Sequence, residues 1–162
     1  MPDLLVHLLK LPPNEPPAAN VVIRRAQPWE LSTVRQFIQQ NFSATWADET
    51  SVGFANKPVS VFIAAMDHNL VGFAAYECTR RGFFGPTGVV ESGRGLGIGK
   101  ALLVSSLLGL RELGYVYAII GAAGPVHFYQ KAVGAIVIPD SEPGIYSDPL
   151  KADPPISTDY TD

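Results

Sequence analysis

Residues 93–103 read Gly93-Arg94-Gly95-Leu96-Gly97-Ile98-Gly99-Lys100-Ala101-Leu102-Leu103, with a glycine at every second position up to Gly99. Glycine costs about 1 kcal/mol relative to alanine inside a helix, so these four glycines serve backbone geometry rather than helix stability. From Lys100 onward leucines recur at three- and four-residue spacing, which predicts a helix that ends at Gly114. A glycine-rich loop that leads into a helix N-terminus is typical of an anion site, most often for phosphate.

The glycine spacing distinguishes between the known phosphate-binding loops. A Walker loop needs a glycine five residues before Gly99 and a Ser or Thr after the lysine, but Arg94 and Ala101 stand there. The dinucleotide motif G-x-G-x-x-G is also missed, because the glycines fall at 93, 95, 97 and 99. A glycine-rich turn that merely starts a core helix is the structural alternative.

A third pattern fits these residues. Arg94-x-x-Gly97-x-Gly99, preceded by Thr87-Gly88-Val89-Val90, resembles the acetyl-CoA pyrophosphate loop of the GNAT superfamily of N-acetyltransferases. The late Phe-Tyr-x-Lys pattern of the family is matched by Phe128-Tyr129-Gln130-Lys131. The predicted order of elements over 21–146 is also similar to the whole GNAT fold. The resemblance implies an α/β (α+β) fold, a mixed and mostly antiparallel sheet flanked by helices, with one splayed pair of parallel strands.

Composition limits the other classes of function. With 162 residues, 47% of them hydrophobic and 17% charged, the chain is expected to form one folded domain. A net charge of −3 and basic clusters no longer than an arginine pair argue against nucleic-acid binding. The lone Cys78 excludes a disulfide framework and a cysteine metal site, so we expect no metal and a cytoplasmic location. No apolar run approaches the ~20 residues of a membrane span, and Leu4–Leu11 lacks the basic leader of a signal peptide.

Proline and polar content set the expected boundaries. Four prolines within 12–20 predict an extended linker that separates an N-terminal extension, residues 1–20, from an acetyltransferase domain at 21–150. The polar, proline-containing tail at 151–162 is typical of disorder. Gly144–Tyr146 is a candidate last strand of the domain.

The resemblance also implies a binding mode for acetyl-CoA. The family holds the pantetheine arm between the splayed strands, a role that falls here to the backbone of Thr87, Gly88 and Val89. The pyrophosphate would lie on the loop formed by Arg94, Gly95, Leu96, Gly97, Ile98, Gly99 and Lys100. Tyr129 matches the family's acid for the departing thiolate. Because a phenol with a pKa near ~10 faces a thiol near ~8.5, Tyr129 can stabilise the thiolate by a hydrogen bond without full proton transfer.

The general base is less well defined by the sequence. Many family members carry a carboxylate on the fourth strand, but residues 83–88 contain none, so Glu77, Glu49 and His127 are the candidates. The asparagine that the family often places seven residues before the tyrosine is replaced by Ala122. Two functions therefore stay open: an N-acetyltransferase for a primary amine of a small molecule or peptide, favoured by Tyr129, and a non-catalytic acyl-CoA-binding module, favoured by the missing carboxylate. A homodimer also stays open.

The junction of the first two helices is the expected acceptor site. It contains Phe42, Trp46 and Glu49, and the last two are one helical step apart. An aromatic ring beside a carboxylate suits an ammonium group, through cation–π contact and charge pairing. The alternative is that Trp46 caps the core and Glu49 is solvated.

Overall fold

The computed structural model describes residues 1–151, which form a seven-stranded sheet with helices on both faces. The strands are β1 (Leu4–His7), β2 (Val21–Arg25), β3 (Val61–Met66), β4 (Asn69–Tyr76), β5 (Phe83–Val89), β6 (Tyr117–Ile120) and β7 (Ile136–Val137). The α-helices are α1 (Leu31–Asn41), α2 (Ala44–Val52), α3 (Ile98–Glu112) and α4 (Val126–Val133). Short 3-10 helices lie at Leu8–Lys10, Pro28–Glu30, Glu91–Gly93 and Gly144–Tyr146.

The sheet has the order β2-β3-β4-β5-β6-β1-β7, and only the β5–β6 pair is parallel among the described strands. That parallel pairing covers Phe83 with Ile119 and Phe84 with Ile120. Beyond Phe84, β5 pairs with β4 alone, up to Val89 opposite Gly72. The two parallel strands therefore diverge after a short contact, and the predicted mixed sheet with a splayed pair is confirmed.

Two hydrophobic clusters cover the two faces of the sheet. On one face α3 packs Leu102, Leu107 and Leu110 against the inner strands. On the other face α1 and α2 pack over β3 and β4, with Val34 and Ile38 fully buried. Because both faces of β4 are covered, its residues 71–76 are all buried, as an unbroken apolar run predicts.

The N-terminal strand is an interior strand of this sheet. β1 pairs antiparallel with β6 on one side and with β7 on the other, and Leu4 and Val6 are fully buried. We expected an extension at 1–20 outside a domain at 21–150. The start of that domain is wrong, because residues 4–7 form a strand inside its sheet. A four-residue apolar strand contains no local indication of its pairing partners, which lie more than 100 residues away in the chain. Of the tail at 151–162, Lys151 is exposed and the rest lies outside the described residues.

Two helix ends and one candidate strand differ from the sequence prediction. The helix α3 begins at Ile98 rather than Lys100, because Gly97 adopts a left-handed conformation just before it. The sequence before Lys57-Pro58 predicts a second helix over 45–56. In the structure α2 ends at Val52, because Gly53 turns the chain and accepts a hydrogen bond from the Ser60 N–H. Gly144–Tyr146 forms a 3-10 turn and adds no strand. Within residues 1–151, none of the helices has the length and apolar character that crossing a membrane requires.

Candidate active site

A cavity of about 790 Å³ lies where β5 and β6 diverge. One wall is the whole of β5, and the opposite wall is the end of β6 with the loop 121–125. The first turns of α3 and α4 close one end, and α2 closes the other. Side chains from elements far apart in the chain thus meet in one groove.

The β5 wall presents an unpaired strand edge. Thr87, Gly88 and Val89 pair with Ala74, Phe73 and Gly72 of β4, while their other side has no strand partner among residues 1–151. All three line the cavity. A Cβ built on Gly88 would lie 2.5 Å from Phe42 Cε1, so glycine is needed there for packing against α1 and α2. The free edge can pair with an extended ligand as a further strand would.

The glycine loop lies at the α3 end of the cavity, and Gly99 lines it. Gly95 and Gly97 both have φ of 77°, a region that favours glycine. The hydrogen bonds found within residues 1–151 leave the N–H groups from Gly95 to Lys100 without an acceptor. These free donors lie at the positive end of a 15-residue helix, beside the exposed Arg94 and the half-buried Lys100. Such a loop suits the oxygens of a diphosphate.

Tyr129 lies on α4 and faces the same cavity. Its ring contacts Phe84 and Phe128 in edge-to-face geometry, at centroid distances of 6.2 and 5.2 Å. The side chain is only 5% exposed, and this burial raises the pKa of Tyr129 to about 12. The phenol therefore stays neutral and can act as a hydrogen-bond donor into the cavity over the whole physiological range.

Glu49 lies at the opposite end of the cavity, on α2. Thr79 Oγ1 donates a hydrogen bond to Glu49 Oε2 at 3.0 Å, and the Tyr146 hydroxyl donates to Oε1 at 3.3 Å. Trp46 lines the same end, stacked on Phe42 at 5.8 Å and 38% exposed. Burial and the neighbouring Glu49 raise the pKa of Tyr146. This end of the cavity presents a fixed carboxylate next to an accessible indole face.

Comparison with solved structures identifies the fold. A GCN5-related N-acetyltransferase from Sphaerobacter thermophilus aligns with a TM-score of 0.68 and 19% identity over 85% of this chain and 48% of that one. The glucosamine N-acetyltransferase region of a fungal multi-domain GH3 β-N-acetylglucosaminidase aligns with a TM-score of 0.67 and 16% identity, over 85% and 19% of the two chains. The chain has the GNAT fold. It spans less than half the length of either of these proteins.

A third GNAT structure is of similar length. The acetyltransferase from Brucella melitensis, solved in complex with acetyl-CoA, aligns with a TM-score of 0.55 and 19% identity over 73% of this chain and 86% of that one. No family model and no curated protein matches the sequence. At these identities the likeness establishes the GNAT fold alone.

The GNAT fold of this chain brings together some of the predicted site residues and leaves out others. Among the candidate bases, only Glu49 lines the cavity within residues 1–151. Glu77 follows β4 with φ of 57° and accepts a hydrogen bond from the Gly82 N–H, so it belongs to the turn before β5. His127 is exposed on α4, on a different side from Tyr129. No group of three or more metal-ligating side chains occurs in the described part of the chain.

Sequence reasoning missed several residues of the cavity. Thr79 and Tyr146 hold Glu49, yet neither belongs to a motif, and Tyr146 lies in a stretch considered as a strand. The wall at 121–124 was also missed. There Asp3 Oδ1 accepts a hydrogen bond from the Ala122 N–H at 2.8 Å, which fixes Ala122 at φ of 45°. Only the three-dimensional structure reveals that the segment leading into β1 supports this wall.

Proposed function

We propose that this chain is an acetyl-CoA-dependent N-acetyltransferase that acts on a primary amine of a small molecule or peptide. The observation that supports it best is one cavity lined by the free β5 edge, by Gly99 at the end of the anion loop and by the largely buried Tyr129. A non-specific phosphate site would need only the loop, whereas the elongated groove next to it suits a longer ligand. The acetyl-CoA complex of the Brucella protein with the same fold agrees with this assignment.

The residues present fit acetyl-CoA. The main chain of Thr87, Gly88 and Val89 would pair with the amides of its pantetheine arm, and the N–H groups of Gly95 to Lys100 would hold its pyrophosphate. Bound there, acetyl-CoA would supply the thioester whose acetyl group is transferred. The apolar walls of the groove, including Phe84 and Leu103, would exclude water from it.

Tyr129 has the role of a hydrogen-bond donor to the leaving sulfur. Burial raises the pKa of Tyr129 to about 12, so the phenol is a weaker acid than a thiol and full transfer of its proton to the thiolate is uphill. A neutral phenol that makes no hydrogen bond within the described structure is free to donate to a developing thiolate. Tyr129 therefore stabilises the thiolate and keeps its own proton.

Glu49 and Trp46 form the acceptor end of the proposed site. The carboxylate attracts an ammonium ion, and the indole face adds a cation–π contact. Glu49 is also the proposed proton acceptor, directly or through one water, since the amine must be neutral when it attacks. Its hydrogen bonds to Thr79 and Tyr146 hold the carboxylate in place and leave it lone pairs for the amine. A cytoplasmic location and a homodimer stay predictions.

A non-catalytic acyl-CoA-binding module is the second candidate. It is favoured by the absence of a carboxylate on β5 and by Ala122, where the family often has asparagine. Both candidates require coenzyme A binding, but only the first requires turnover. A thiol-release assay with acetyl-CoA and a panel of small amines and peptides separates the two.

Binding of coenzyme A is the first test of the site itself. In Gly97→Val a β-branched residue is forced into φ of 77°, in the middle of the free N–H groups, so calorimetry should show that coenzyme A affinity is lost. Gly114→Val is the matched control, because it imposes a similar strain at φ of 100° just beyond the other end of α3. Wild-type affinity in Gly97→Val would show that the loop is not the binding site.

A further inference from the structure

The linker between the N-terminal strand and β2 crosses the molecule with little slack. We call residues 11–20 the strap; it follows the turn Leu8–Lys10 and ends at β2. Four strands lie between β1 and β2 in the sheet, so the strap must span five strand spacings, about 24 Å. Ten residues in the extended polyproline conformation reach about 31 Å. The four prolines of the strap favour that conformation and so reduce the entropy lost on docking.

The strap crosses the face of the sheet that α3 covers, and it contacts the anion loop. Asn14 Nδ2 donates a hydrogen bond to Ser105 Oγ at 3.1 Å, and Glu15 pairs with Lys100 at 3.8 Å. Further along, the Ala18 N–H donates to the Leu96 carbonyl at 3.1 Å. A Cβ built on Gly97 would lie 3.8 Å from Pro17 Cα. The strap therefore packs directly against the two residues that precede α3.

The Ala18 hydrogen bond fixes the orientation of one peptide group of the loop. The Leu96 carbonyl and the Gly97 N–H belong to the same peptide, which is trans, so the two groups point in opposite directions. Because the carbonyl points at the strap, the Gly97 N–H points away from it. Glycine residues flank this peptide at 95 and 97, and without the strap their freedom would let the peptide rotate.

We propose that the strap is a positioning element for coenzyme A: through the Ala18–Leu96 hydrogen bond it holds the Gly97 N–H in the orientation that binds the pyrophosphate. This inference rests on the proposed function, because it assigns the strap to the same binding site. The strap touches the outer side of the loop, so it acts through the Leu96–Gly97 peptide.

Two proline substitutions test the hydrogen bond. Ala18→Pro removes the N–H that donates to the Leu96 carbonyl. Ala19→Pro is the control, because it adds the same ring one residue later and keeps the Ala18 N–H. Residue 19 is the second position of a turn in which the Val21 N–H donates to the Ala18 carbonyl, and proline is favoured at that position. Calorimetry with coenzyme A should give a dissociation constant about fivefold higher for Ala18→Pro, the loss expected for one hydrogen bond. Ala19→Pro should bind like the wild type.

The wild-type protein gives an independent test by amide hydrogen exchange. If docking of the strap favours binding, binding must favour docking by the same factor, so saturating coenzyme A should slow exchange of the Ala18 N–H about fivefold. This measurement decides the question even if Ala18→Pro fails to fold.

Equal affinity in all three proteins, an equal loss in both proline variants, or unchanged Ala18 exchange on binding would overturn the inference. A wild-type protein that binds no coenzyme A would refute the proposed function together with the inference. A wild type that binds and an Ala18→Pro variant that binds equally well would refute the inference alone.

Discussion

Replacing Tyr129 by phenylalanine separates the proposed chemistry of the site from its packing. The side chain is 5% exposed, and its ring contacts Phe84 and Phe128. Burial alone raises its pKa, and the hydroxyl makes no hydrogen bond within residues 1–151, so a phenylalanine ring keeps every packing contact. We expect the free energy of unfolding at neutral pH to change by less than about 1 kcal/mol.

The turnover number should fall far more than the stability. A hydrogen bond to a charged group contributes about 1.5–3 kcal/mol, which corresponds to about 10- to 150-fold in rate when the charge develops only in the transition state. The dissociation constant for acetyl-CoA should stay within about twofold, because the bond is made to the departing thiolate. A lower turnover number with unchanged ligand affinity is also the expected effect of removing an oxyanion-hole donor.

The pH dependence of stability supplies a second readout for Tyr129. Below pH 10 the phenol is protonated in both the folded and the unfolded chain, so it does not make the free energy of unfolding depend on pH. Above pH 10 the unfolded chain ionises first, and stability is lost until the pH passes the folded pKa of about 12. Over this range the free energy of unfolding should fall by about 3 kcal/mol, and Tyr129→Phe should not show this decrease.

The assay is thiol release from acetyl-CoA with an amine found by screening, together with calorimetry and thermal unfolding. Tyr117→Phe is the matched control, since Tyr117 is 51% exposed and does not line the cavity. An unchanged kcat in Tyr129→Phe would show that Tyr129 contributes to packing and not to catalysis. A fall in kcat that is matched by a fall in Tm would also refute the reasoning.

Three further outcomes are expected. Glu49→Gln and Trp46→Leu should each raise the KM for the amine at least about tenfold without changing acetyl-CoA affinity, and Glu49→Gln should also lower kcat because it removes the proposed proton acceptor. A lower Tm with no change in KM would show that the acceptor binds elsewhere. Gly109→Ala should destabilise the protein by about 1–2 kcal/mol in denaturant unfolding, because the alanine Cβ would lie 2.5 Å from the hydroxyl of the buried Tyr76. A stability equal to that of the wild type would show that the Tyr76 ring can move aside. Alkylation of Cys78 near pH 8 should be at least about 100-fold slower than that of a free thiol, because burial raises its pKa to about 11, and a rate like that of glutathione would contradict the burial.

Local patterns in the sequence predicted the parts of the site that depend on backbone conformation. The alternating glycines require an open loop before a helix, and Gly95 and Gly97 adopt that conformation. The roles of the loop and of Tyr129 stay predictions, although the structure places both at one cavity. The fold followed from the family resemblance and is confirmed, apart from the position of the N-terminal strand.

The remaining features depend on contacts between residues distant in the chain. Spacing alone cannot tell which of Glu49 and Glu77 faces the groove, because the answer depends on how α2 packs and on the turn after β4. The pairing of β1 with β6 could not be predicted from the sequence either, because a short apolar strand can pair with any strand edge of the sheet. The sequence therefore predicted the conformation of the glycine loop better than it predicted which carboxylate lies at the α2 end of the cavity.

The interior position of β1 means that this strand is synthesised well before the two strands that flank it in the sheet. Its register pairs Leu4 with Ile120 and with Val137, so neither partner exists until most of the chain has left the ribosome. Until then the apolar side chains of β1 have no sheet to enter, and β6 and β7 have no common neighbour. Folding of this sheet should therefore be slow, with holdase chaperones most useful before β7 emerges.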